Sequence, residues 1–417
     1  MTLSEMLVPL AWLCSLLLTG YLGYFLFIAL HGLRRPKTYP QAPPKTRFAV
    51  LVAARNEEAV IGNLVDSLMS QDYPPELYDV IVVPNNCTDD TAGAARDHGA
   101  VVLPCTLPVK SKGEVLTHTV RTLLEGDKPY DSIIVFDADN LVHPGFLRAM
   151  NNAAAAGVRV AQGTRDSKNP RDTLMSGSYS IYYWMVNRFY SQSRSMVGLN
   201  AIINGSGFMV DLGLLEQWGG WKTYTMTEDI EFTAQCALRG QRVDWVPGAV
   251  TFDEQPLTFA QSWRQRKRWS TGMLQCLGRY AGPLARETLR GRMRCLDSLL
   301  FFLAPVIQLV WLLSLVLGTG LDLLGVEYGL FPDTGLFHQL FFSVTTSFLS
   351  TFLLSLLVIK ISGKELRPML GAACYYWVFV ISWTPINLLC LVRRTKRWEP
   401  IAHTRATTAA QLFGPRA

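Results

Sequence analysis

Two aspartates one residue apart, Asp137 and Asp139, stand directly after an apolar run, Ser132-Ile133-Ile134-Val135-Phe136. A strand ending there turns both carboxylates toward the crevice beyond the sheet. Two such groups can hold Mg2+ or Mn2+ while leaving positions for diphosphate oxygens. Alone the pair is weak, because acidic surface loops often produce it. A second acidic site, Thr227-Glu228-Asp229, offers Asp229, flanked by Glu228, as a base for an attacking hydroxyl. The competing reading is capping of the helix that follows, by Asp229 or by Thr227. A third group, Gln265, Arg268 and Trp269, has helical spacing that brings all three to one face. It presents an amide, a guanidinium suited to phosphate and an indole on which a sugar ring can stack. Arg264, Arg266 and Lys267 offer the alternative of binding anionic lipid headgroups.

The elements that must carry these groups alternate. Phe48 to Ala54 reads as a buried strand, and residues 57–71 have helical periodicity up to Asp72-Tyr73-Pro74-Pro75. Further strands are expected at 79–83, 101–103, 132–136 and 159–163, with a helix reaching about His98. This order predicts a mostly parallel sheet covered by helices on both faces. The Tyr- and Trp-rich stretch 179–190 reads equally as a helix on a membrane surface or as a core helix.

Charge is distributed unevenly along the 417 residues: stretches 6–30, 298–321, 334–359 and 369–392 carry no charged side chain. Each exceeds the roughly 20 residues that cross a hydrocarbon core. The first is too long, and too poor in preceding basic residues, for a cleaved signal, so it reads as an anchor. Arg34, Arg35 and Lys37 follow it, which places the N-terminus outside and the soluble part in the cytosol. The same rule opposes a full crossing by 369–392, since Arg393, Arg394, Lys396 and Arg397 follow. Pro385 instead suggests a segment that returns or lies at the interface; the rival is a fourth crossing with a mis-sided tail. Hydroxyls spaced along 343–355 either line a path for a sugar chain or serve helix packing. The net charge of +6 is too dispersed to argue for nucleic acid. Eight cysteines without a C-x-x-C pair, and six histidines without ligand spacing, indicate neither zinc nor a disulfide framework. No protein partner is identified by the sequence.

With D-x-D, T-E-D and Q-x-x-R-W in this order, the chain resembles glycosyltransferase family 2, in its membrane-integrated branch of cellulose, chitin, hyaluronan and poly-N-acetylglucosamine synthases. The resemblance runs from Ala49 to Trp269 and more loosely to Arg405. It implies an α/β GT-A (nucleotide-diphospho-sugar transferase) domain inserted between transmembrane and interfacial helices. The expected parts are an anchor at 1–33, a cytosolic GT-A domain at 34–255 and amphipathic interface helices at 256–297. Apolar helices at 298–392 and a cytosolic tail at 393–417 follow. The resemblance also implies a bacterial plasma membrane and inverting transfer from UDP-glucose or UDP-N-acetylglucosamine. A processive synthase exporting a β-linked polysaccharide is expected, with a non-processive enzyme acting on a membrane lipid as the alternative. A rival from another class is a silent nucleotide-sugar sensor.

Position by position, Ala53, Arg55 and Glu57 match the segment contacting the nucleotide, and Lys112 a basic residue beside uridine or its diphosphate. Asp137 and Asp139 match the donor and metal pair, Asp229 the catalytic base, and Asn204-Gly205-Ser206 a loop near the acceptor. Gln265, Arg268 and Trp269, with Arg266 among them, match the helix holding diphosphate and acceptor. Trp398, Thr404 and Arg405 resemble a gating loop over bound nucleotide. One departure is Asn85, where the family usually has an Asp facing uracil; an amide can still donate and accept there. Asp89 and Asp90 either replace that Asp or cap the next helix.

Overall fold

The computed structural model describes residues 3–326, 336–393 and 407–413. Eight strands form one sheet: β1 (Phe48–Ala54), β2 (Tyr78–Pro84), β3 (Val101–Val102), β4 (Ser132–Asp137), β5 (Leu141–Val142), β6 (Val160–Ser167), β7 (Phe208–Asp211) and β8 (Asp244–Asp253). Their spatial order is β3-β2-β1-β4-β7-β6-β8-β5. The β3-β2-β1-β4 half is parallel, as expected from alternating strands and helices. Beyond β4 the antiparallel β7 intervenes, followed by β6 and β8 running parallel to each other and a short antiparallel β5.

β1 shows why the run Phe48 to Ala54 must be apolar throughout. Its alternate residues Phe48, Val50 and Val52 enter one core with Ile61, Leu64 and Phe136. Ala49 and Leu51 enter the opposite core with Leu116, Val135 and Trp221. A strand covered on both faces has no polar side to spare. On the second face Trp221 stacks on Phe232 with ring centroids 4.2 Å apart, fixing the helix Glu228–Leu238 against the sheet.

The stretch 179–190 belongs to the helix Leu174–Met185 and a wider π turn over Val186–Gln192. Tyr179, Ile181 and Trp184 are buried, and the helix Leu370–Ile381 packs over them. It is therefore an inner layer between the sheet and the apolar helices. The helix Phe259–Leu289 starts with a capping box, Thr258 and Gln261, and runs beneath Trp383–Val392.

Four helices among the described residues are long and apolar enough to cross a membrane: Met6–Leu33, Ala304–Leu323, Phe341–Ile361 and Arg367–Val392. The apolar run expected from residue 298 is divided at Leu303. Its first part lies in Met293–Phe302, which packs on the helices of the soluble domain. Regular helix is also interrupted at Ser382, three residues before Pro385. A proline has no amide for the carbonyl four residues earlier, so the ladder opens there. Arg266 fills part of that opening, donating to Phe379 O and Ser382 Oγ at 2.7 and 2.8 Å. Two hydroxyls of the stripe serve packing against helix Leu370–Ile381: the exposed Ser347 Oγ accepts from Trp377 Nε1 at 3.1 Å, and Ser355 is buried against Ala373.

The first apolar helix, Leu3–Leu30, is held by a buried ion pair. Arg194 Nε donates to Asp297 Oδ2 at 2.8 Å, and Tyr24 O–H donates to Asp297 Oδ1 at 3.0 Å. The Arg194 and Asp297 side chains are 1% and 4% exposed, so loss of one partner strands a buried charge. Asp297→Ala is expected to destabilise the protein by about 3–5 kcal/mol. The double replacement Arg194→Met with Asp297→Leu should lose much less. Unfolding midpoints measured in detergent check the difference.

Candidate functional site

The ends of β1, β2 and β4 lie side by side, with Ala53 paired to Asp137 and Ala54 to Pro84. Asp137 closes β4, and its turn is locked locally: Asp137 N–H donates to Asn140 Oδ1 at 3.0 Å, and Asn140 Nδ2 donates to Asp253 Oδ1 at 2.7 Å. Lys112, the first residue of helix Lys112–Glu125, forms an ion pair with Asp137 and donates to Gly205 O at 2.7 Å. Burial alone would raise the Asp137 carboxyl. Lys112, Arg165 and Arg268 outweigh it and hold the group below its ordinary value. Arg268 thereby brings the Gln265-Arg268-Trp269 helix into the same electrostatic field as the D-x-D turn.

Gly205 is the point on which the two acidic sites converge. Its φ of +91° is left-handed, and a Cβ there would lie 3.4 Å from Asp229 Oδ2, 3.8 Å from Asp137 Oδ2 and 3.9 Å from Arg165 Nη1. Thr227 opens the helix Glu228–Leu238 without capping it through its side chain, and Asp229 Oδ1 accepts from its neighbour Ile230 N at 2.8 Å. Glu231 takes the structural work, accepting from Tyr224 N and Thr225 N at 2.8 and 2.7 Å and from Tyr280 O–H at 2.7 Å. Helix Phe259–Leu289 presses on this segment at Gly272, where a Cβ would strike Thr227.

Burial pushes the Glu228 carboxyl up to about 7, with Asp229 adding and Lys112 opposing. Asp229 is also raised, chiefly by burial, while the Ile230 amide and Lys112 pull it down. Asp253 is pushed up to about 6 by burial, against Arg165 and with help from Asp139 and Asp137.

Among the described residues no three His, Cys, Asp or Glu side chains are gathered as a ready metal cage. The donor chemistry of Asp137 and Asp139 nevertheless fits a hard divalent ion, which keeps water and phosphate oxygens as most of its ligands. The crowding that raises Asp253 is the kind a cation relieves. Two polar groups wait without protein partners: both amide atoms of Asn204, and Gln265 Oε1, are shielded from solvent. Such orphaned atoms are uncommon unless a ligand or water completes them.

Several expected residues are placed otherwise. Arg266 is fully buried against Phe379, at the helix opening described above, and reaches neither diphosphate nor lipid headgroup. Its position faces the apolar helices, a partner that periodicity does not name. Asn85 donates its amide hydrogens to Ala54 O at 2.9 Å and Val83 O at 3.4 Å, leaving the amide oxygen for any base. Asp90 caps Gly93 N at 2.9 Å and Asp89 binds Thr91, so both serve the turn. Trp269 is not an isolated platform: it stacks on Tyr182 and on Trp383, at 6.3 and 6.2 Å. Arg55 is exposed and Glu57 half-buried at the mouth after β1, and Ser206 binds Asn140. Trp398, Thr404 and Arg405 lie outside the described residues.

Arg165, Lys168, Asp253 and Asn140 were not marked by any motif. Arg165 pairs with Asp253 and donates to Asn204 O. Lys168, its amine lowered by burial, lies in the field of Asp139, Glu254 and Asp253. A signal was present in the polar run Arg165-Asp166-Ser167-Lys168 continuing an apolar strand.

The profile of the family described as Glycosyltransferase like family 2 matches residues 43–272. A beta-monoglucosyldiacylglycerol synthase of Synechocystis sp. is 28% identical over 279 residues, covering 60% of this chain and 54% of its own length. A poly-beta-1,6-N-acetyl-D-glucosamine synthase of Staphylococcus aureus is 22% identical over 227 residues, 53% of each chain. The chain thus spans little more than half the length of these curated relatives. Among solved structures, a mannosyltransferase from Pyrobaculum calidifontis in complex with GDP-Man and Mn2+ superposes with a TM-score of 0.62 at 18% identity, covering 92% of this chain and 99% of that one. That likeness is one of fold, and the fold is the GT-A arrangement expected above.

Asn140 is the hinge pin of the D-x-D turn. Asn140→Ala removes the donor to a buried Asp253 and the acceptor for Asp137 N–H, and is expected to cost about 1–3 kcal/mol. Denaturant unfolding of the variant beside wild type measures it.

Proposed function

The chain belongs to glycosyltransferase-like family 2, and we propose that it transfers one hexose or N-acetylhexosamine from a UDP-sugar to the hydroxyl of a lipid at the bilayer surface. The observation that carries this reading is the meeting of Asp229, Asp137 and Arg165 around Gly205, within the field of Arg268. Asp229 takes the proton from the acceptor hydroxyl as that oxygen bonds to the anomeric carbon. The bond from that carbon to the diphosphate oxygen breaks on the opposite side, and its electron pair leaves with UDP, so the configuration inverts. Lys112 and Arg268 offset the charge that gathers on the leaving diphosphate. A divalent ion at Asp137 and Asp139, Mg2+ or Mn2+, would supply further neutralisation of that charge. Asn85 offers its free oxygen to an N–H of the base, while Asn204 and Gln265 offer their unpartnered amide atoms to sugar hydroxyls.

A lipid acceptor is favoured by the aromatic row. Tyr182 lies in the fields of Asp229 and Arg165, stacks on Trp269, and Trp269 stacks on Trp383 at the start of an apolar helix. That row runs from the neighbourhood of Asp229 to the apolar helices. The named synthase of a glucosylated diacylglycerol among its relatives supports the same class. The second reading is the processive polymer synthase, which the staphylococcal relative and the indole platform favour. Two hydroxyls of the expected path, the exposed Ser347 and the buried Ser355, are engaged by helix Leu370–Ile381 instead, which favours the packing reading of that stripe. Arg34, Arg35 and Lys37, which follow the first apolar helix, support a cytosolic position for the soluble domain.

Purified protein in diacylglycerol-containing vesicles, given UDP-glucose or UDP-N-acetylglucosamine with Mg2+ or Mn2+, is expected to release UDP and add one sugar per lipid. Asp229→Asn should slow this by about 10²–10⁴-fold. Long glycan chains would transfer the assignment to the polymer reading, and binding of UDP without turnover of any sugar would sink both.

The pH dependence follows from the raised carboxyl. A base whose pKa lies above the ordinary range is protonated, hence idle, at pH values where a free aspartate works. The rate is expected to fall on acidification with a limb above the usual carboxylate range. Glu228→Gln should leave that limb nearly in place, because the Glu228 carboxyl, pushed up to about 7 by burial and by the charge of Asp229, is already protonated where Asp229 titrates. Initial rates across a pH series at saturating donor decide this.

A further inference from the structure

Successive side chains of a strand face opposite ways, and near its end β6 presents Arg165 to the acidic site and Asp166 to the membrane helices. On the inner side the Arg165 guanidinium, 11% exposed, pairs with Asp253 and donates to Asn204 O. It thereby touches both loops that form the site. Asn204 leads into left-handed Gly205, and Asp253 holds Asn140, whose oxygen receives Asp137 N–H.

On the outer side Asp166 Oδ2 accepts from Lys364 Nζ at 2.6 Å, and Oδ1 accepts from Trp184 Nε1 at 2.7 Å. Lys364 belongs to the short loop joining the apolar helices Leu336–Ile361 and Leu370–Ile381, and its amine also lies 5.3 Å from the Trp184 ring centroid. The backbone of Arg165 is braced separately. Asn187 Nδ2 donates to Arg165 O at 2.7 Å, and Asn187 Oδ1 accepts from Arg165 N at 3.3 Å. Asn187 is part of the π turn Val186–Gln192, a form that often marks functional positions. The same turn grips the exit of the first apolar helix: Gln192 Nε2 donates to Gly32 O at 3.2 Å and to Arg34 O at 2.7 Å. Gly32 leaves no room for a Cβ against Arg188 O, so that contact is close.

Two of the contacts that tie the soluble domain to the apolar helices therefore end on adjacent residues of β6, Asp166 and Arg165. We propose that Arg165 is a positioning residue through which the membrane-held segments set the D-x-D turn and the Asn204-Gly205-Ser206 loop in register for transfer. Lys364 and Asn187 act at a distance from the chemistry, by fixing where Arg165 stands. The inference rests on the transferase reading only for its effect on turnover.

The test uses the full chain in phosphatidylglycerol vesicles, with Lys364→Gln, Lys364→Arg and Asn187→Ala. Hydrogen exchange at the amides of Asp137, Asn140 and Gly207 is expected to quicken by about tenfold or more in Lys364→Gln and Asn187→Ala, with the inner strand amides of Leu51 and Val135 unchanged. Turnover should fall between about tenfold and a hundredfold with donor KM within about twofold, as for a misplaced site. Lys364→Arg should restore both. Exchange that is unaltered at the three loop amides, or that rises equally through β1 and β4, overturns the proposal by showing a silent or a purely stabilising contact. Should wild type release no UDP from any nucleotide sugar, the transferase reading fails, while the exchange result still decides this inference.

Discussion

Carboxylates gathered at one end of a sheet repel each other, and burial makes each costlier to ionise. Asp137, Glu228, Asp229 and Asp253 are gathered in this way, and the placement of cations decides which of them keeps its charge. Asp137, beside Lys112, Arg165 and Arg268, is held ionised, as the proposed metal ligand would need to be. Asp229, though Lys112 and Arg165 pull it down as well, is left by burial with a raised affinity for protons, which suits the proposed base. One crowded site thus shifts one residue type in two opposite directions. The difference comes from neighbours supplied by β6, by helix Lys112–Glu125 and by helix Phe259–Leu289.

Much of this was legible in sequence because the chemistry follows local rules. Asp137 ends an apolar run, so its place at a strand end could be read directly, and Gln265, Arg268 and Trp269 share a face by simple spacing. What stayed hidden depends on partners distant in sequence. Arg165 lies 88 residues from Asp253, and its strand reads as finished at Gly163, where the pairing with β8 shifts register. β7 is four residues long beside a glycine loop, and β8 contains Pro247 and Gly248, so both resemble turns. Arg266 was legible as a helical arginine, yet only the position of Phe379 and Ser382 tells what it binds. Asn85 follows β2 as its place in the sequence indicates, but the sequence holds no sign that its amide nitrogen is committed to Ala54 O.

The apolar helices and the soluble domain form one packed body rather than a domain on a tether. Helix Leu174–Met185 has the sheet beneath it and Leu370–Ile381 above it, so its tyrosines and tryptophan are buried from both sides. The polar chain Ser270–Asn387–Gln308 runs from the amphipathic helix through the last apolar helix to Ala304–Leu323. Buried hydrogen bonds of this kind specify one arrangement of helices where apolar packing alone would permit several.

The guanidinium of Arg266 has a consequence for how the protein is made. A charge lodged among Phe379, Trp383 and the opened turn at Ser382 is costly until those carbonyl and hydroxyl oxygens arrive. Translation delivers residue 266 more than a hundred residues before residue 379. During that interval the nascent chain must keep Arg266 in water, and the final apolar segment finds its docking place already synthesised when it emerges. Biosynthesis thus has a built-in order, in which Phe379 and Ser382 supply oxygens to the Nη1 of a cation made much earlier.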